Sequence, residues 1–361
     1  MERQQKINEL KKATFENNGE HKSVQNNLVS NEIYRSWQRS FDSGILVNDV
    51  FDDRPHNEID NILDKNRSMI NLADNEMSKL YQLIKGTDNM VLLSDNDGVI
   101  LNQIGDPVFV ERAAKILLMP GAKWSEADKG TNAIGTAIKA DKAITIHGGE
   151  HYLNSNGFLT CSSVPIHNPY GDILGVLDIT GDYRNGNKHT LALLNMSVEH
   201  IENEMFSHNF HQDVIVELYH VADNQSWFEK TIMVFDFSGM LIAANKIARR
   251  LFSINKSTFN HKKFEDIFDA KIGALIEHII LSSNHPYKLK SHNGVEYYAK
   301  AKTSYARLRS FASCPRANKI AAVKITQNTP IRFKDIDLGD PIMAGNIGKV
   351  KKIFAHDIPI L

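Results

Sequence analysis

The chain has 361 residues, of which 42% are hydrophobic and 24% charged, with 42 lysines and arginines against 43 aspartates and glutamates. Single cores stop growing near ~250 residues, so two domains with linkers are expected. The balanced charge offers no global attraction for nucleic acid or an anionic membrane, and either partner would need a local patch.

Apolar runs such as KIAAVKI and MVLLS fall short of the ~18 residues of a membrane span, and the basic start MERQQK precedes no apolar signal region. The two cysteines, Cys161 and Cys314, fall in different expected domains, which argues against a disulfide framework and for a cytoplasmic protein. Residues 1–26 are polar and predicted to fray. In VSNEIYRSWQRSF, Ser30 is a helix cap, with Ile33, Trp37 and Phe41 on one face and Gly44 as the stop. An acidic stretch interrupted by Pro55 leads into a helix over 58–85, whose Ile59, Ile62, Leu63, Ile70, Met77, Leu80, Tyr81 and Ile84 keep helical spacing.

From Met90 the pattern becomes strand, Asp97-Gly98 turn, strand, followed by a helix over 107–118. AITIHG, FLTCSSVPIH and DILGVLDITGD read as further strands, with HNPYG as the hairpin turn between the last two, and a long helix starts near Lys188. This predicts an antiparallel sheet with helices at both ends and on one face. A second, smaller unit follows: TIMVFDFSGMLIAANKIARRLF gives strand, turn, strand and a helix beginning near Asn245. Short helices and strand candidates at YKLKS, VEYYAKAKTSY and NKIAAVKITQ complete it. The expected fold class is α+β: two domains, each an antiparallel sheet flanked by helices, joined by a long helix.

The run GTNAIGT, Gly130–Thr136, approaches the phosphate-loop pattern G-x-x-x-x-G-K-[ST], with Ser125 as a cap ahead of it. Thr136 stands where the lysine belongs, and Lys129 and Lys139 flank the motif at other angles. Packing explains it better: Gly130, Ala133, Gly135 and Ala137 let a helix lie close to a sheet, with Ile134 and Ile138 turned inward. No serine stands in a G-x-S-x-G context, and Asp178 has no paired carboxylate at useful spacing, so no catalytic residue is assigned and the chain is not read as an enzyme.

GAKWSEADKGTNAIGTAI, followed by TIHGGEHYLNSNGFLTCSSVPIHNPYGDILGVLDITGD and HTLALLNMSVEHIE, resembles the GAF sensory domain of sigma-54-dependent activators in the acetoin/glycerol-catabolism regulator family. SWQRSFDSGI is similar to that family's leading helix, VFDFSGMLIAANKIARRLF resembles the start of a PAS domain, and LGDPIMAGNIGKVKKIFAHDIPIL resembles the approach to its AAA+ ATPase domain. The implied organisation is a helical segment and linker at 1–57, a GAF-like domain at 58–206, a PAS-like domain at 207–328 and a linker at 329–361. The phosphate loop and DNA-binding helix pair of the family are not found in the sequence, so the resemblance is to the sensory half.

The resemblance implies a small-molecule effector held between sheet and helices, an alcohol, diol, ketone or acetoin. Trp124, Thr131, Asn132, His151, Cys161, Ser162 and Ser163 come from the segments expected around that cavity. The AAA+ domain and sigma-54 RNA polymerase are partners only through the missing part, and this chain itself is expected to contact neither nucleic acid nor membrane. A metal reading of His147, His151, Cys161 and His167 lacks helical ligand spacing, and Cys314-Pro315 is too short a motif for a haem site; neither metal nor cofactor is assigned. Leu191, Leu194, Val198, Ile201 and Met205 alternate spacings of three and four like the seam of a coiled coil, a pattern that resumes at Ile215 and Tyr219. This predicts a homodimer through helices flanking the first sheet. The rival is a stand-alone dimerisation or interaction module without a metabolite.

Overall fold

A computed structural model describes residues 2–15, 28–50, 59–185, 189–220, 230–281 and 286–304. They lie in one compact unit, Met1–Leu308. The Pro55 linker, NKIAAVKITQ, Cys314 and the expected 329–361 linker lie outside the described residues.

Helices α1 (Glu2–Phe15), α2 (Asn31–Asp42) and α3 (Ile59–Ile84) precede strands β1 (Asn89–Asp95) and β2 (Ile100–Gly105). Helices α4 (Pro107–Ala114), α5 (Glu126–Lys129) and α6 (Ala133–Ala140) lead to β3 (Ile144–His147), β4 (Leu159–His167) and β5 (Ile173–Asp182). The strands form an antiparallel sheet in the order β2-β1-β5-β4-β3. Helix α7 (Thr190–Asn209) then joins it to a second antiparallel sheet. That sheet has the order β8-β7-β6-β10-β9, built from β6 (Val214–His220), β7 (Thr231–Phe235), β8 (Leu241–Ala244), β9 (Tyr287–Lys290) and β10 (Glu296–Lys302). Helices α8 (Lys246–Leu251) and α9 (Ile272–Leu281) belong to this second half. Among the described residues, no helix is long and apolar enough to cross a membrane.

Local chemistry sets the helix starts. Ser30 Oγ accepts from Ile33 N at 3.3 Å to cap α2, and Asn245 Oδ1 accepts from Ala248 N at 3.0 Å to cap α8. Ser125 caps only the four-residue α5, while Asn132 caps α6. On α3, Met69, Ala73, Met77 and Leu80 repeat every three or four residues and pack on the outer face of the first sheet.

Four expectations are corrected. Helices cover both faces of the first sheet, because α6 and α2 close the inner face while α3 and α7 close the outer one. The segment expected to fray contains α1, docked through Ile7, Lys11 and Phe15, all buried. Phe15 meets the rings of Trp37, Phe41 and Tyr152 at 5.5–6.2 Å between centroids. The presumed seam points inward: Leu194, Val198, Ile201 and Met205 are buried in this chain's own core beside α3, with Leu191 packed at its margin. Finally, the heptad pattern does not continue through Ile215 and Tyr219, because α7 ends at Asn209 and VIVELYH forms the central strand β6. Its β-branched alternation outweighs the heptad spacing.

The β4–β5 turn plants the first sheet on the second half. Pro169 O accepts from Ala244 N at 3.2 Å, the Tyr170 ring stands edge-on to Phe210 and Phe259, and Asp172 pairs with Lys256.

Candidate functional site

Alternation along β1, β4 and β5 sends Met90, Leu92, Leu159, Cys161 and Val176 to the inner face, against Ala133, Ile134 and Ala137 of α6. In register with them stand Ser163 and Asp178, which pair directly across β4 and β5, as do Cys161 and Thr180. Asp178 is 1% exposed. Ser163 Oγ donates to its Oδ1 at 2.6 Å and Thr180 Oγ1 to its Oδ2 at 2.5 Å. Among the described residues, no cation pairs with it. Burial raises its pKa to about 7, with the two hydroxyl donors pulling the other way. The carboxyl is therefore poised to hold or release a proton near neutrality. Burial, then the Asp178 charge, pushes the Cys161 thiol well above its ordinary value, so Cys161 is an apolar wall residue rather than a nucleophile.

A second polar layer joins α2 to the GTNAIGT segment. Ser36 Oγ donates to Glu126 Oε1 at 2.5 Å and lies 2.7 Å from Thr131 Oγ1 and 3.1 Å from Thr136 Oγ1. Ser40 Oγ lies 3.2 Å from Thr131 Oγ1. Arg39 grips Glu126 with two parallel bonds, at 2.7 and 2.8 Å. The motif's glycines are packing positions. Gly130 has φ +65°, and a Cβ there would meet Tyr152 Cβ at 2.9 Å and its ring at 3.0 Å; a Cβ on Gly135 would sit 2.4 Å from Glu126 N. Gly135 thus allows close approach to the 124–126 turn rather than to the sheet. On the solvent side of this junction a cleft of about 550 Å³ is lined by both signs of charge, Arg39, Lys123 and Lys139 with Asp42, Asp97 and Glu126.

All seven sequence-predicted pocket residues are buried, but they do different things. Asn132 spends its side chain locally, accepting from Gly135 N at 2.9 Å and donating to Gly130 O at 2.8 Å. Trp124 Nε1 donates to Leu117 O at 2.9 Å. Ser162 alternates to the other face of β4, 2.9 Å from Thr145 Oγ1. Thr131 belongs to the α2 layer, and Cys161 and Ser163 lie beside Asp178.

His151 sits in the loop after β3, beneath α1. Lys11 Nζ donates to the carbonyls of His151 and Tyr152 at 2.8 and 2.9 Å, Trp37 Nε1 to Glu150 O at 2.7 Å, and Arg3 to Glu150 Oε1 at 2.7 Å. His151 Nδ1 lies 2.9 Å from Gly148 O, and Nε2 is buried with no hydrogen-bond partner among the described residues. Burial lowers the pKa of this ring to about 4; the Gly148 bond opposes that, and Lys11 and His147 add to it.

The histidines considered for metal binding have other partners. His147 Nδ1 faces Thr160 Oγ1 at 3.2 Å. His167 is clasped by Glu202 Oε1 at 3.0 Å and Asp141 Oδ1 at 2.6 Å. Burial disfavours the charged His167 ring, but those two carboxylates outweigh it and hold its pKa above the ordinary value. Among the described residues, no group of three or more His, Cys, Asp or Glu side chains is placed to hold a metal ion.

Sequence reasoning set Asp178 aside for want of a paired carboxylate, and missed Ser36, Ser40 and Lys11. For Asp178 the available signal was a charge in the middle of the strand-like GVLDITGD, two residues from Thr180 and hence on the same face.

The family described as "MimR, N-terminal domain" matches residues 12–203. A signal-transduction and transcriptional-control protein of Clostridium beijerinckii is 29% identical over 213 residues, 59% of this chain and 34% of its own. The acetoin dehydrogenase operon transcriptional activator AcoR of Bacillus subtilis is 34% identical over 165 residues, 45% of this chain and 27% of its own. The propane 2-monooxygenase operon transcriptional activator MimR of Mycolicibacterium smegmatis is 27% identical over 189 residues, 52% of this chain and 32% of its own. The chain spans about a third of the length of the curated relatives it matches. Among solved structures, the Escherichia coli DhaR(N)–DhaL complex is similar with a TM-score of 0.48 and 13% identity, covering 76% of this chain and 100% of that one.

Proposed function

The chain belongs to the MimR N-terminal-domain family, the sensory region of transcriptional activators, and on that premise we propose that its first sheet binds a small uncharged catabolic metabolite on the inner face. The effector class is an alcohol, diol, ketone or hydroxyketone such as acetoin. Two of the relatives are named for acetoin metabolism, which supports the choice. In this reading the first sheet is a GAF-type sensor and the second a PAS-type unit, and effector binding controls a sigma-54-dependent AAA+ ATPase domain. Two copies pair through faces of the flanking helices other than the inward seam.

One observation carries the reading. Asp178, Ser163 and Thr180 form a buried polar triplet without a cation, set in an apolar face. Such a triplet repels anionic ligands, and its carboxyl and hydroxyls match the few polar groups of a short hydroxyketone. A carboxyl with a pKa near 7 offers a donor when protonated and an acceptor when not. Thr131, His151 and Cys161 are the further contact candidates.

The test is a thermal-shift titration of the whole chain with acetoin, butane-2,3-diol, butanone and short alcohols. Binding to the folded state alone raises the Tm with concentration. At least one compound is expected to do so, and Asp178→Asn to weaken its effect. A flat response to all of them, with a cooperative transition intact, overturns the reading.

A further inference from the structure

Building on that reading of the inner face, we infer that His151 Nε2 is the specificity-determining acceptor for a hydroxyl group of the effector. The argument begins with the other ring nitrogen. Gly148 O, 2.9 Å from Nδ1, can only accept, so Nδ1 carries the hydrogen and Nε2 is left with a lone pair. The ring is fully buried, and its Nε2 meets no donor among the described residues. A buried acceptor without a donor is destabilising, so an enclosed one that the described residues leave unpaired is suited to a donor brought by a bound ligand.

That partner's chemistry is constrained. It must donate a hydrogen bond, which excludes ketones, ethers and carboxylates as the contacting group. A cation is disfavoured because Lys11 Nζ already donates to the carbonyl of His151 itself and of Tyr152 next to it. A metal ion is disfavoured too, since among the described residues no further ligands gather there. Within the effector class of alcohols, diols, ketones and hydroxyketones, a neutral hydroxyl remains.

The loop is built to hold the ring still. Glu150 accepts from His147 N at 2.8 Å and from Arg3 at 2.7 Å. On the far side, Tyr152 N donates to Thr131 O at 3.1 Å, tying the loop to the GTNAIGT segment. An acceptor fixed on both sides of its residue discriminates between a ligand that supplies the hydroxyl and one that lacks it, because the second leaves the nitrogen unpaired.

Acetoin and butanone differ by that one hydroxyl and serve as the probes. Their affinities for the full chain are measured by calorimetry in wild type and in His151→Phe, which keeps a buried ring and removes the acceptor. The wild type is expected to favour acetoin by about tenfold or more, and His151→Phe to lose most of that preference while butanone binding stays within about threefold. In parallel, the ¹⁵N resonance of His151 Nε2 is followed in the unmodified protein, which keeps the test valid if the variant fails to fold. It is expected to sit at the position of an unprotonated, unbonded nitrogen and to move upfield on adding acetoin but not butanone. If His151→Phe keeps the acetoin preference, or the resonance ignores acetoin that binds, the role of His151 is overturned while the sensor reading stands. If the wild type binds neither probe nor butane-2,3-diol, the sensor reading fails and this inference falls with it.

Discussion

The two faces of the first sheet come from the same strands and differ in one respect. Outward, Val91, Leu93, Val164, Ile166, Leu177 and Ile179 meet Met69, Ala73, Met77, Leu194, Val198 and Ile201 in an apolar layer. Inward, the alternate residues of β4 and β5 include Ser163, Asp178 and Thr180, and the cover is tied down by Lys11, Trp37, Arg39 and the Ser36 hydroxyl. Apolar burial holds most of α3 and α7 in place, with polar contacts at the margins, Glu202 of α7 on His167 and Asp74 of α3 on Asn102. The inner cover adds to its own apolar contacts, Ile7, Phe15, Ile33 and Trp37 among them, a set of buried hydrogen bonds whose net worth is individually small, about 1 kcal/mol each. A sheet that needed only stability would have two outer faces. The difference marks the inner side as the one able to exchange internal partners for those of a ligand at little cost.

The sharpest way to break this contrast is to put the same group on the wrong side. Leu177→Asp moves a carboxylate one residue along β5 to the outer face, where Ser163 and Thr180 cannot reach it. An unpaired buried charge costs several kcal/mol, on the order of the whole stability of a domain. The variant is expected to lack a cooperative unfolding transition by circular dichroism at 25 °C, whereas Asp178→Leu on the inner face is expected to fold.

Next in size is a pH dependence. Asp178 has its folded pKa raised to about 7, from its ordinary 3.8, so its contribution to stability is complete below 3.8 and is lost as pH rises through 7. His151 is shifted the other way, from 6.5 to about 4, so its contribution is complete above 6.5 and is lost as pH falls through 4. They are on the order of 4 and 3 kcal/mol respectively. Between pH 4 and 6.5 their slopes oppose. Urea titrations should therefore find that Asp178→Asn gains stability relative to wild type as pH rises from 4 to 7, and that His151→Phe gains relative to wild type as pH falls from 6.5 to 4. Parallel profiles for wild type and both variants would show that neither group is held as described.

Lys11→Ala tests the inner cover. It leaves carbonyls of His151 and Tyr152 without their buried donor, and is expected to cost about 2 kcal/mol and to speed amide exchange in α1. Exchange in α3 should not change.

Elements fixed by local chemistry were legible in the sequence. The Ser30 and Asn245 caps, the HNPYG turn and the long period of α3 each depend on a few neighbouring residues. What depends on distant partners was not. Nothing within the first 26 residues says that Lys11 will be buried, because its acceptors lie about 140 residues away in the loop after β3. Leu194 to Met205 carry a seam pattern that serves a partner helix of the same chain as well as one of a second copy, and spacing alone does not choose. Asp178 was dismissed because a carboxylate partner was sought, while its real partners are hydroxyls: one directly across β4, the other two residues along β5. The register that brings Ser163 opposite Asp178 passes an irregularity at Ile166/His167, which sequence spacing does not reveal.

The smallest expected effect isolates that register. Ser163→Ala removes one of the two donors to Asp178 and leaves Thr180 in place, at a cost of about 1 kcal/mol where the carboxyl is ionised. Because the lost hydrogen bond had favoured the charged form, the Asp178 pKa rises further. The penalty is therefore largest at pH 8 and shrinks toward pH 5, where the carboxyl is protonated in either protein. Ser162→Ala, one residue along on the other face, removes a contact with the Thr145 hydroxyl, a partner that does not titrate. Its small cost is expected to be the same at pH 5 and pH 8. If the two serine variants instead follow the same pH course, Ser163 and Asp178 are not partners across the sheet, and the inner face loses the polar centre that distinguishes it from the outer one.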